Sequence, residues 1–115
     1  MQYALLIYED ERVYEDEAAY KAILEAHGAF AGELAAAGKI RGGSELKPVA
    51  TATTIRQSAQ GAPRTVHDGP FAETREQLGG FYLIEADDLD EAIAWARKLP
   101  LWAAGCVEVR PLGEG

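Results

Sequence analysis

The chain is short of cysteine, of cations and of long apolar runs, and each shortage removes a class of function. One cysteine, Cys106, stands in 115 residues. It rules out an internal disulfide and a cysteine-rich zinc site. A lone free cysteine near the C-terminus is expected as a small buried apolar residue. Eleven Lys and Arg face 19 Asp and Glu, leaving a formal charge of −8. That balance repels a phosphate backbone at long range. The cations, Lys21, Arg41, Lys47, Arg56, Arg64, Arg75 and Lys98 among them, are scattered and form no stripe, so no nucleic-acid partner is expected. No window approaches the ~20 uninterrupted apolar residues of a membrane helix, so no membrane partner is expected either. The opening Met1 to Tyr8 lacks a basic leader and runs into acidic residues, which reads as a first strand of a cytoplasmic protein.

What is present suits one domain over residues 1–115. The apolar fraction is 48%, interleaved with charge. At this length folding hides roughly 65% of the unfolded surface, enough for one modest core. Tyr3 to Tyr8 is apolar at every position, as a strand covered on both faces should be. Asp10 to Asp16 is a polar connection. A helix is predicted from Glu17 to Ala37, N-capped by Asp16 and ended at Gly38. Its apolar stripe is Tyr20, Ile23, Leu24, Ala31 and Leu34. Ile40 to Leu46 forms a second strand, and Pro48 interrupts it. Thr51 to Gln57 and Arg64 to His67 are two arms of a hairpin around a Gly/Pro-containing turn. Gly79 to Ala86 is another largely apolar strand. Leu89 to Leu99 is a second helix, with Asp88 as N-cap, Glu91 placed for a capping box and Leu89, Ala92, Ile93 and Ala96 as its buried stripe. Val107 to Leu112 closes the chain as a strand.

Without the hairpin this order is βαββαβ, the ferredoxin-like α+β arrangement with an antiparallel sheet. Two helices cover one face of four strands, yet two of those strands are apolar on both sides. A second copy of the sheet, packed about a two-fold axis, is the economical cover. A homodimer through the open sheet face is therefore expected.

Two histidines and one acidic motif carry the candidate chemistry. His27 lies four residues after Ile23, on the helix face that packs toward the sheet. There it is either a hydrogen-bonded core residue or a general acid/base tuned by burial. A carboxylate partner would fix its tautomer, and Asp68 is the candidate. Asp68 before Gly69-Pro70 equally suits a turn cap. His67 points to the opposite strand face from Asp68 and reads as an ordinary strand residue. Around this pair, Arg56, Arg64, Phe71, Glu73 and Glu76 are the candidate substrate contacts, the arginines for an anionic group. No histidine stands at ligand spacing to Glu73 and Glu76, so no metal is expected.

The run Asp68-Gly69-Pro70-Phe71-Ala72-Glu73-Thr74-Arg75-Glu76-Gln77-Leu78-Gly79-Gly80-Phe81-Tyr82-Leu83-Ile84 resembles the signature of the DGPF group of YCII-related proteins. Ala52 to Arg56 and Val107 to Leu112 match that group too, and the likeness covers essentially the whole chain. The group usually carries Lys where Arg75 stands. The resemblance implies a ferredoxin-like domain of the dimeric α/β-barrel superfamily. It also implies a site made of a first-helix histidine and the motif's opening aspartate, roles that fall on His27 and Asp68. Two functions stay open. One is a cofactor-free enzyme acting on a small organic molecule through the His27–Asp68 pair. The other is a non-catalytic ligand-binding or regulatory module associated with extracytoplasmic-function sigma factors. A cofactor-free monooxygenase would rest on fold analogy alone.

Overall fold

The computed structural model describes residues 1–113. The strands are β1 (Gln2–Glu9), β2 (Ile40–Glu45), β3 (Thr53–Gln57), β4 (Arg64–Asp68), β5 (Gln77–Glu85) and β6 (Gly105–Pro111), and the helices are α1 (Glu17–Ala36) and α2 (Leu89–Lys98). Two short 3₁₀ turns, Glu11–Glu15 and Val49–Thr51, fall where only connections were expected. The main sheet runs β2-β5-β1-β6, antiparallel throughout, and β3-β4 is a separate two-stranded sheet. This is the ferredoxin-like order with the hairpin set apart as an arm. Among the described residues no helix is long and apolar enough to cross a membrane.

The sheet register explains which residues become core. Tyr3 and Ile84 stand opposite one another, and Leu5 lies between Tyr82 and Val109. All five side chains take the face beneath the helices, where Phe30 and Leu34 of α1 and Ala92 and Leu99 close over them. Asp16 caps α1 by accepting from the Ala19 N–H at 2.8 Å. Asp88 caps α2 by accepting from the Glu91 N–H at 2.8 Å. The carboxylate of Glu91 does not close a capping box on Asp88. It reaches one residue further, accepting from the Asp87 N–H at 2.8 Å and from the Trp95 indole at 3.1 Å.

Three burial expectations are corrected. Leu24 and Leu89 are exposed, while Phe30 and Trp95, which the predicted stripes omitted, pack on the core edge to face at 6.2 Å. The reason for Leu24 is that the sheet presents no side chain to it, as described below. Cys106 is exposed, not buried. It stands opposite Tyr8, so it shares the sheet face away from both helices with Leu6, Phe81 and Leu83.

One buried charge escaped the sequence reading. Glu9 is 2% exposed at the end of β1. Its carboxylate accepts from the Tyr14 hydroxyl at 2.5 Å, from the Ala103 N–H at 2.7 Å and from the Trp102 N–H. It thus ties the first 3₁₀ turn and the segment before β6 to the central strand. Glu9→Leu removes the acceptor shared by three part-buried donors and should cost roughly 2–4 kcal/mol. Urea unfolding reads this as a lowered midpoint at unchanged slope; an unshifted midpoint would show that the three contacts carry no net stability.

Candidate functional site

A cavity of about 780 Å³ opens between the first half of α1, the first 3₁₀ turn and the β2–β5 edge of the sheet. Its origin is legible in the pairing. Under Phe30 and Leu34 the sheet offers Tyr3, Leu5 and Ile84, and the space is filled. Under Tyr20, Ile23 and His27 the sheet offers Gly43 on β2, Gly80 on β5 and Ile7 on β1. Gly43 holds φ +147°, and a Cβ there would lie 2.6 Å from the Phe81 carbonyl oxygen. At Gly80 a Cβ would come within 3.0 Å of the Ser44 carbonyl oxygen. Both glycines therefore let β2 and β5 pair closely, and the side chains they lack leave the helix overhanging a void. Leu24 lines its rim.

Into this void His27 projects, half-buried, with its Nδ1 2.8 Å from the Tyr82 hydroxyl. The two rings lie nearly parallel, 15° apart in plane with centroids at 5.9 Å. Phe30 braces Tyr82 from the side at 5.1 Å and 74°. Burial lowers the His27 pKa, against the opposing pull of the Glu9 and Glu45 charges. Burial likewise raises the Tyr82 phenol. Both groups are thereby held neutral near pH 7, sharing one hydrogen bond. Further along the wall the Tyr20 hydroxyl donates to Glu45 at 2.8 Å, and that bond raises the Tyr20 pKa. Tyr14 meets Tyr20 edge to face at 6.2 Å, and its own pKa is raised by burial and by the bond to Glu9.

The other sequence candidates lie elsewhere. Asp68 ends β4 on the arm; among the described residues it neither lines the cavity nor shares the His27 hydrogen bond. Within one chain the two are thus not brought together. Arg56 donates to the Phe71 carbonyl oxygen just beyond β4 and Arg64 to the Gln57 side chain at 3.1 Å on the arm, and neither lines the cavity. Phe71 is 73% exposed beyond β4. Glu73 is exposed in the same segment, and Glu76 borders a separate shallow depression beside Asp10 and Arg12. His67 is exposed, its Nε2 2.9 Å from the Thr65 hydroxyl. No group of three His, Cys, Asp or Glu among the described residues is arranged to hold a metal ion.

With this geometry in view, the comparisons give the chain its family. The family model for the YCII-related domain matches residues 1–114. The chain belongs to the YCII-related family. It is also 42% identical, over 97% of its length and 92% of the relative's, to an uncharacterized protein of Rhizobium meliloti (strain 1021). In this YCII-related chain sequence reasoning placed His27 on the sheet-facing side of α1 but did not anticipate Tyr82, Tyr14, Glu9 and Glu45 around it. Tyr82 was detectable in principle. It is two residues from the glycine pair in an alternating strand, hence on the face toward α1.

Because burial holds the folded-state pKa of His27 below its ordinary 6.5, the unfolded chain binds this proton first as pH falls. The stabilisation is complete above about pH 6.5 and is lost as pH drops through and below that value. In urea unfolding at pH 7.5 and 5.5, His27→Gln should lose less stability between the two than the parent. Equal losses would mean that His27 titrates as it does in the unfolded chain.

Proposed function

We propose that this YCII-related protein acts on a small, largely apolar organic molecule bound under α1, with His27 as the group that accepts or returns a proton. The observation that carries this reading is a neutral imidazole aimed into a cavity of ligand size and fixed by one hydrogen bond to Tyr82. An imidazole whose pKa burial holds below its ordinary value is uncharged at neutral pH and can accept a proton from carbon or oxygen. Tyr82, braced by Phe30, sets the ring's orientation, the part that a carboxylate was expected to play. Proton abstraction, isomerisation and elimination all suit such a pair, and none calls for a cofactor. Asp68 enters this reading only as a residue of the arm.

The reading includes a homodimer. Leu6, Tyr8, Phe81 and Leu83 line the sheet face that neither helix covers, and a second copy of that face is the partner of matching shape and polarity. The arm favours the same assembly. Ile55 and Val66 stand opposite each other and are 63% and 67% exposed, and a two-stranded hairpin gains little support from itself. Sedimentation at micromolar concentration should give a dimer, and Phe81→Glu should give a folded monomer. A parent protein that sediments as a monomer would remove the assembly from the proposal.

For the chemistry, mass spectrometry of small apolar compounds incubated with the protein identifies a substrate. His27→Ala should then turn it over about 10²–10⁴-fold more slowly with the fold intact. Tyr82→Phe, which leaves the imidazole unanchored, should fall in between. Turnover by the His27→Ala protein at the parent rate would refute the role.

A further inference from the structure

The polar groups on the cavity wall are unequal in kind. Of the ionisable residues lining it, Glu11, Glu15 and Glu45 are acidic, and no lysine or arginine among the described residues joins them. The hydroxyl protons are already committed. Tyr14 donates to Glu9, Tyr20 to Glu45, and Ser44 to the Glu45 carbonyl oxygen. The one side-chain proton left over on the wall is the one that the neutral His27–Tyr82 pair keeps after sharing its hydrogen bond. The wall is otherwise made of acceptors: carboxylate oxygens, and phenol oxygens with free lone pairs. The remaining surface is apolar, from Ile7, Ile23, Leu24, Ala31 and Ile40.

Such a wall selects by what it lacks. A carboxylate or phosphate entering it would meet like charge and find no cation. A neutral alcohol would satisfy one acceptor. An ammonium group satisfies three, is attracted by the carboxylates, and is stabilised against the faces of tyrosine rings. Charge complementarity therefore points to one class. We propose that the cavity's ligand is a primary amine on an apolar body, its ammonium donating to the Glu45 carboxylate and to the free lone pair of the Tyr20 hydroxyl beside it, and its body against Ile23, Leu24 and Tyr82. This rests on the reading of the cavity as the functional site and names the substrate class for it. It differs from the expectation of an anionic substrate held by Arg56 and Arg64, neither of which lines the cavity.

Isothermal titration with three near-isosteres tests this in the full chain: 2-phenylethylamine, 2-phenylethanol and 3-phenylpropanoate at pH 7.5. The amine should bind at least tenfold more tightly than the alcohol, and the acid should give no heat of binding. Glu45→Gln keeps an acceptor for Tyr20 while removing the charge, and should bring the amine down to the alcohol's affinity. Tyr20→Phe should weaken the amine alone. The inference is overturned if none of the three binds, if the alcohol or acid binds as tightly as the amine, or if Glu45→Gln leaves the amine's affinity unchanged. Binding is read without turnover, so the two proposals fail separately. Amine binding retained by a His27→Ala protein with unaltered turnover would sink the proton-transfer role and leave the ligand class standing.

Discussion

The whole arrangement depends on one constraint: two helices have to cover a four-stranded sheet, and they lie on the same side of it. Along the C-terminal part of α1 the cover is complete, because large residues on β1 and β5 rise to meet Phe30 and Leu34. Toward its N-terminal half the same helix passes over Gly43 and Gly80, where the sheet sends nothing up. A rigid helix cannot sag into that gap by one turn without breaking its packing further along. The cavity is the difference between a straight helix and a sheet with missing side chains.

The same straight helix fixes what looks into the cavity. Residues four and three apart share a face, so the face that buries Ile23 and Phe30 must also direct His27 toward the sheet. Where it arrives, β5 supplies Tyr82 in place of a glycine, and the imidazole finds its one partner there. Glu9 anchors the other wall. As a buried carboxylate it needs donors, and it recruits Tyr14 from a turn that would otherwise be a loose connection. Structural need at β1 thus delivers an aromatic wall and a nearby negative charge to the site.

Most of the fold was legible because its signals are local and periodic. The strands, both helices, the N-caps Asp16 and Asp88 and the separate hairpin were all visible in apolar spacing and turn residues. The errors share a physical cause. Leu24 sits on the correct helical face, but whether that face is buried there depends on Gly43 and Gly80, distant in sequence. Glu9 continues an apolar strand, and nothing local says that Trp102 and Ala103 will bring donors to it. Cys106 alternates away from the helices, a fact fixed by its register with Tyr8 and not by its own chemistry.

The site was legible in its histidine and opaque in its partners for the same reason. Helical spacing states where His27 points; it says nothing of which strand residue lies opposite. Tyr82 sits inside a run of apolar residues whose evident role is packing, and its hydroxyl is the only polar atom in its side chain. That atom nevertheless sets how the imidazole is held, because a buried imidazole with no partner would be costly and one paired to a carboxylate would be drawn toward its charged form. A neutral phenol does neither. It holds the ring while leaving burial to keep the His27 pKa below its ordinary value.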